Sequence, residues 1–365
     1  MDKVGIGIVG LGNISAAYLK AAQNFPVLDI RAVADLNPDV SKARGQEFGL
    51  RAVALDDIFG DPSIDIILNL TIPRAHVEVG LRAIEAGKHV YSEKPLGIAF
   101  AEGKRLVDAA AQKGLRVGSA PDTFLGGSHQ TARHVVDSGA LGQIVGGTAY
   151  FMCPGHERWH PNPGFYYDQG GGPMLDMGPY YITDLVNLLG PVKQVLGVAT
   201  MLRQTRTITA KERAGEVIPV HVPTHVAGTL IFASGAVVQV SMSFDVAGHR
   251  HLPLEIYGTD GSLIVPDPNH FGGQVELLEK GGEWKNVATD QPYWDGNFRS
   301  IGLADMAAAL VTGRAHRCNG ELALHVLEVM EAFGTSAETG KAVSMSTTLD
   351  RPEPLSTSLS NGQLA

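Results

Sequence analysis

Cysteine is scarce. The chain has two in 365 residues, Cys153 and Cys318, far apart and outside any C-x-x-C pair, which argues against a disulfide framework and a cysteine-built zinc site and makes a reducing cytoplasm the expected compartment. Long apolar runs are missing too. None approaches the roughly 20 residues that cross a bilayer. The apolar N-terminal stretch is broken by glycine and has neither a signal-peptide layout nor a twin-arginine pair, so no membrane partner is expected. Positive charge is thin: 29 Lys and Arg stand against 38 Asp and Glu, for a net charge of −9. With no basic run, nucleic acid is a poor partner and a small molecule the expected one. What remains, 44% hydrophobic and 18% charged residues, is ordinary for a soluble enzyme long enough for two domains.

The segment from Val4 to Val9 reads as a buried parallel strand. It runs into Gly10-Leu11-Gly12-Asn13-Ile14-Ser15 and an alanine-rich helix from Ala16 to Ala22. Gly10 suits a tight turn, Gly12 lets backbone approach a pyrophosphate, and the helix N-terminus at Asn13 and Ile14 offers N–H groups to an anion. Ser15 takes the third glycine position. A second strand, Leu28 to Ala34, ends in Asp35, where a carboxylate accepts from the adenosine ribose hydroxyls and repels a 2′-phosphate. NAD is therefore expected over NADP. The competing role for Asp35 is N-cap of a helix beginning at Pro38. Further strands are expected at 64–70, 89–91 and 115–119, with helices at 77–86, 106–113 and 131–138, closing an α/β Rossmann domain at residue 142.

From Ile144 the pattern changes to strands at 144–152, 194–202, 226–232, 236–244, 254–257, 262–265 and 274–278, joined by hairpin-like turns. This predicts an α+β domain over 143–345 with a large open, mostly antiparallel sheet. The face carrying Val238, Val240 and Met242 in alternation with Ser241 and Ser243 suits subunit packing. Helices at 298–310 and 321–337 are expected to return to the first domain. Residues 346–365 read as a polar tail, flexible or laid over a neighbouring subunit.

Within Ala86 to Gly97, AGKHVYSEKPLG, a short strand ends in Glu93-Lys94-Pro95. This places an ammonium at the carboxyl edge of the sheet, where ligands sit in open α/β folds. The run from Asn69 to Pro95, NLTIPRAHVEVGLRAIEAGKHVYSEKP, resembles the glucose-fructose oxidoreductase, inositol dehydrogenase and MocA (Gfo/Idh/MocA) family, with Ile72 inserted between Thr71 and Pro73. Further on, Gly170-Gly171-Gly172-x-x-x-Asp176-x-x-x-Tyr180 matches that family's G-G-G-x-x-x-D-x-x-x-H. Tyrosine fills the histidine slot, as in the branch that resembles glucose-fructose oxidoreductase and dimeric dihydrodiol dehydrogenase.

The resemblance implies a nicotinamide-dependent oxidoreductase, a homodimer or homotetramer, with Lys94, Asp176 and Tyr180 catalytic. It also implies that Thr71, Pro73, His76, Glu93 and Lys94 line the cofactor cleft, although His76 could equally cap the helix that follows it. There are departures. Thr183 stands where relatives often carry aspartate, Pro179 precedes Tyr180, and the loop Ala120-Pro121-Asp122-Thr123-Phe124 lacks the usual asparagine and arginine, leaving Asp122 and Thr123 for substrate.

Residues 153–184 are the chemically richest. They contain a literal H-E-x-x-H at His156, Glu157 and His160, but prolines at 154, 161 and 163 deny it the continuous helix a zinc site needs, so no metal is expected. The better reading is a loop of polar partners (His156, Glu157, Arg158, His160, Asn162, Asp168, Gln169) interleaved with Trp159, Phe165, Tyr166 and Tyr167. Donors beside aromatic rings suit a polyhydroxylated ring such as a sugar or cyclitol. Lys94 would lower the pKa of Tyr180 and let it accept an alcohol proton as hydride leaves for the nicotinamide, while Asp176 orients the substrate hydroxyl or balances the lysine charge; Lys94 as the direct proton carrier is the open alternative. The alternatives are a redox-neutral NAD-dependent glycoside hydrolase and a cofactor-sensing regulatory protein on the same scaffold.

Overall fold

The computed structural model describes residues 3–357 and 359–364. Strand β1 (Val4–Val9) is buried along its whole length. It is joined by β2 (Leu28–Ala34), β3 (Ile66–Asn69), β4 (His89–Ser92) and β5 (Val117–Ser119) in a parallel sheet of order β2-β1-β3-β4-β5. Such sheets are covered on both faces, which is why these strands read as unbroken apolar runs. The cover comes from α1 (Asn13–Ala22), α2 (Pro38–Phe48), α3 (Leu55–Gly60), α4 (His76–Glu85) and α5 (Phe100–Gln112), followed by α6 (Gly127–Asp137). Because the chain leaves β1 for β2 on one side and then crosses to β3 on the other, a crevice opens at the carboxyl ends of β1 and β3.

The second sheet is built from β6 (Ile144–Met152), β7 (Val192–Thr200), β10 (His225–Phe232), β11 (Val237–Ser243), β12 (Leu254–Gly258), β13 (Gly261–Val265), β14 (Glu276–Glu279), β15 (Lys285–Asn286) and β16 (Val343–Ser344). β8 (Thr205–Thr207) and β9 (Val217–Pro219) form a separate ribbon. The order is β15-β14-β13-β12-β6-β11-β10-β7-β16, and every neighbouring pair is antiparallel except β6–β11. Helices α7 (Pro173–Leu189), α8 (Ile301–Thr312) and α9 (Gly320–Thr339) complete the fold. Helix α9 packs against both domains. A Cβ added to Gly103 of α5 would lie 2.9 Å from Leu327, and one added to Gly197 of β7 would lie 2.8 Å from the Phe333 backbone. No helix among the described residues is long and apolar enough to cross a membrane.

Two expectations are corrected. Val238, Val240 and Met242 are buried in the chain's own core, under α7. The outward face instead carries Val237, Leu196 and Val198, all more than 40% exposed. The period of two puts alternate residues on opposite faces, and the helix layer takes the valine-rich one. Nor do the described tail residues hang free. The Leu355 N–H donates to Gln130, Arg133 donates to the Pro352 carbonyl, and Leu355 and Leu364 are buried.

Beneath α7, His129 of α6 donates to Asp184 (2.8 Å) and to the His270 carbonyl (2.9 Å), fully buried. Burial alone would lower its pKa, but Asp184 and the carbonyl together raise it. Replacing His129 with leucine strands a buried carboxylate and is expected to remove about 3–5 kcal/mol of stability, read as a fall in Tm. A raised folded pKa means this contribution is complete below the unfolded histidine value of about 6.5. It is lost as pH rises through the raised value, so the Tm gap between wild type and variant should narrow from pH 6 toward alkaline pH.

Candidate active site

The cofactor edge is shaped by two glycines with opposite reasons for being glycine. Gly10 has φ +91°, and a Cβ there would come within 2.7 Å of the backbone of Leu70 and Thr71. Gly12, at the start of α1, would meet nothing within 4 Å. It leaves space over a helix N-terminus that no side chain caps, where Asn13 and Ile14 begin the helix. That cradle fits a phosphate. Asp35, at the end of β2, accepts from the N–H groups of Leu11 (2.8 Å) and Asn37 (2.9 Å) through separate oxygens. Each oxygen keeps a second lone pair for a ribose hydroxyl. The cap of α2 is Asn37, accepting from Asp39, so Asp35 is not the cap. The donor set fits a dinucleotide.

Other cofactor candidates divide. Thr71 is half-buried and donates to Asn69 at 2.6 Å, Ile72 is 68% exposed, and Pro73 opens a short 3-10 turn. His76 is fully buried, its ring nitrogens 2.7 Å from the Pro95 carbonyl and 3.0 Å from that of Thr71. It ties two loops together and does not face the cleft. Glu93 is also buried, accepting from the Tyr18 hydroxyl (2.7 Å) and the Lys94 N–H (2.8 Å).

The G-G-G run launches α7. Gly170 and Gly172 adopt positive φ, and a Cβ on Gly171 would lie 2.3 Å from the Phe165 carbonyl oxygen. With Pro173 opening the helix, Asp176 falls in the first turn, where the helix dipole favours a carboxylate. Helix α7 continues through Pro179, so Asp176 and Tyr180 keep their one-turn spacing. Lys94 Nζ donates to the carbonyl oxygen (2.8 Å) and Oδ1 (2.9 Å) of Asp176, and His156 Nε2 lies 3.2 Å from Oδ2. The Trp159 indole N–H donates to His156 Nδ1 (3.2 Å), which places the imidazole proton of a neutral ring on Nε2, toward Asp176. Burial works against the Asp176 carboxylate, but Lys94 and His156 prevail and hold it at about 2. Burial likewise opposes the Lys94 ammonium, and Asp176, Tyr180 and Glu93 overcome it.

Tyr180 differs from expectation. Lys94 Nζ stands 5.1 Å from its ring centroid and does not hydrogen-bond its oxygen, which accepts from Arg299 at 3.2 Å. Burial, helped by Glu93 and Asp176, raises the phenol pKa against the opposing pull of Lys94 and Arg299. The group therefore holds its proton at neutral pH.

The H-E-x-x-H residues point in different directions. They sit on a single turn, in which the His160 N–H donates to the His156 carbonyl. His156 faces Asp176, while Glu157 accepts from Arg206 at 3.1 Å and from the Tyr167 hydroxyl. Tyr167 is fully buried with Ile208, Ile218 and Phe244, so it braces the loop and cannot contact substrate. Arg158 is exposed, Trp159 is 58% and Phe165 50% exposed, and His160 is half-buried. These remain available to a ligand. Asp122 is not, for it is 1% exposed and accepts from the N–H groups of Ser300 and Gly302, both at 3.1 Å. It caps α8 from another part of the chain, and burial raises its pKa to about 6. The helix begins at Ile301 rather than Phe298 because Ser300 has φ +106°. This turn presents Arg299, which the sequence reading passed over. Its only sequence signal is a lone arginine in a glycine- and asparagine-containing loop.

Both halves of the chain match one family. The description "Oxidoreductase family, NAD-binding Rossmann fold" matches residues 4–120, and "GFO/IDH/MocA C-terminal domain" matches residues 129–264. The chain belongs to the GFO/IDH/MocA oxidoreductase family. Among its curated relatives, levoglucosan dehydrogenase of Pseudarthrobacter phenanthrenivorans is 26% identical over 291 residues, covering 72% of this chain and 74% of the relative. The 1,5-anhydro-D-fructose reductase of Ensifer adhaerens is 24% identical over 353 residues, covering 94% and 99%. A solved levoglucosan dehydrogenase in complex with NADH and L-sorbose shares the fold at a TM-score of 0.82 and 21% identity, over 94% of this chain and 99% of that one.

The two glycines give a paired test. Gly12→Ala should leave Tm within about 1 °C while weakening NADH binding at least tenfold, because its new methyl enters only the cradle. Gly10→Ala should lower Tm by several degrees, because it combines a positive φ with a backbone clash. Thermal denaturation and NADH fluorescence titration separate the two.

Proposed function

We propose that this member of the family is an NAD-linked dehydrogenase or reductase moving hydride between a secondary-alcohol carbon and the nicotinamide, on a sugar, sugar derivative or cyclitol. The observation that carries the reading is Lys94, held as an ammonium by Asp176 at the same sheet edge as the Gly12 cradle. Bound NAD supplies the hydride acceptor or, reduced, the hydride. Lys94 spends two of its three N–H donors on Asp176 and keeps one for the substrate oxygen. Tyr180 carries the proton. In the reducing direction, hydride reaches the carbonyl carbon, the C=O π pair moves to oxygen, and that oxygen takes the Tyr180 proton. A phenol that stays protonated at neutral pH supports carbonyl reduction as the faster direction there, with alcohol oxidation favoured as pH rises.

Substrate class rests on the surroundings. Trp159 and Phe165 present apolar faces next to His156, Arg158 and His160, a mixture that suits a ring with hydroxyls and a C–H face. That levoglucosan dehydrogenase and 1,5-anhydro-D-fructose reductase are among the relatives supports the same class. The exposed face bearing Leu196, Val198 and Val237 supports self-association as a homodimer or homotetramer.

The test is nicotinamide absorbance with levoglucosan, 1,5-anhydro-D-fructose, pyranoses, sugar acids and inositols, with NAD(H) and NADP(H). Lasting conversion is expected with one subgroup and with NAD(H) well above NADP(H). Lys94→Met should lower turnover at least 100-fold while NADH affinity changes less than about threefold, since Lys94 faces the reacting oxygen and not the pyrophosphate. Near-normal turnover in that variant would contradict the assignment. Asp35→Ser should narrow the preference for NAD over NADP.

A further inference from the structure

Arg299 has no part in the reading so far, yet the fold goes to some length to aim it. Its guanidinium donates through one nitrogen to the Tyr180 hydroxyl oxygen (3.2 Å) and to Asn269 Oδ1 (3.1 Å). Asn269 is itself fixed, its N–H donating to Asp267. On the other side, Ser300 is held in a left-handed conformation at φ +106°, which a non-glycine residue adopts only when its surroundings impose it. The imposing contacts fall on that residue and on Gly302. Asp122 accepts from the N–H groups of Ser300 and Gly302, and the Ser300 hydroxyl donates to the Tyr18 carbonyl. The constrained backbone at Ser300 and the hydrogen bonds of Arg299 to Tyr180 and Asn269 are independent observations, the first fixing the chain that carries the guanidinium and the second fixing the guanidinium itself.

We propose that Arg299 is a positioning residue for the reaction assigned above, on which this inference rests: it fixes the Tyr180 hydroxyl with its proton toward the cleft and stabilises the phenolate left when that proton is given up. A phenol oxygen that accepts from a guanidinium must point its single proton elsewhere. Among the described residues no acceptor is within hydrogen-bonding distance of it, so the proton is free for a substrate oxygen. Arginine suits the task because it stays charged at every working pH. The charged groups around Tyr180 are Lys94 and Arg299, which favour the phenolate, and Glu93 and Asp176, which oppose it. Arg299 is the one of the two cations that touches the oxygen. Lys94 is committed to Asp176 and stands off the ring face.

A purely structural Arg299 would only neutralise Glu93 and Asp122, and its loss would show as instability alone. The test therefore reads the phenol directly. A fluorinated tyrosine placed at position 180 brings its titration into a range the fold withstands and gives a signal unique to that ring. In Arg299→Met the titration should move up by about one pH unit or more, and Arg299→Lys should recover part of the shift. With NADH and 1,5-anhydro-D-fructose, or NAD and levoglucosan, Arg299→Met should lower kcat roughly 10- to 100-fold. KM and NADH affinity should change far less, and in a Tyr180→Phe background the substitution should add little. An unmoved titration in a folded Arg299→Met protein would overturn the proposal, as would a kcat loss equally large with and without the Tyr180 hydroxyl. Undiminished turnover in Tyr180→Phe would overturn its premise instead, and is recognised because the titration shift persists without it.

Discussion

Lys94 and Asp176 come from different domains, one from the exit of β4 and the other from the first turn of α7, and each is only 17% exposed. Neither charge is tolerable alone at that depth, since a buried ion without its partner is strongly destabilising. The pair therefore links domain docking to the state of the site. Lysine stays charged, aspartate stays ionised, and the chain on either side must deliver both. On the first side the delivery is a buried polar lattice. Asn69 donates to the His76 carbonyl and the Ser92 hydroxyl, and His76 spans the Thr71 and Pro95 carbonyls. On the second side it is the glycine run, whose conformations only glycine adopts without strain.

Around that pair the side chains divide by depth. Tyr167, Glu157, Arg206 and Asp245 form a buried cluster that holds the aromatic loop in place, while Trp159 and Phe165 stay outside it. Trp159 has a second role, because its indole N–H occupies His156 Nδ1 and so turns the other nitrogen's proton to Asp176. At the mouth of the cleft Arg74 reaches across to Asp168 and the Gln169 carbonyl, both at 2.9 Å. The cofactor-side loop and the aromatic loop are thus joined by an exposed ion pair in addition to the buried Lys94–Asp176 pair.

Features that depend on near neighbours in the chain were legible in the sequence. The glycines of the first turn, Asp35 at the end of β2 and Lys94 at a strand exit follow from local geometry, whereas Asp176 and Tyr180 were marked by the family resemblance and keep their one-turn spacing on α7. Most strand positions were legible as well, because a period of two or a short apolar run identifies them. Features that depend on distant partners were not legible. Asp122 looks like a free loop carboxylate until α8, almost 180 residues later, places two N–H groups on it. Tyr167 looks like one more ring in an aromatic loop, and only the ribbon of β8 and β9 shows that it is covered. The inward and outward faces of β11 both carry valine, so periodicity could place the strand but could not choose its buried side. Arg299 lay in a segment read as helix, and only the left-handed Ser300 turns it toward Tyr180.

The central claim is hydride transfer to or from a carbohydrate carbon, and isotope tracing tests it most directly. Purified protein would be given NADH with deuterium at the transferable position and 1,5-anhydro-D-fructose or another carbonyl sugar that it turns over, and the products examined by mass spectrometry and NMR. The account predicts one deuterium on the former carbonyl carbon of the sugar for each NAD formed. Product formed while the deuterium stays with the cofactor, or returns to it with no net NAD, would contradict the account.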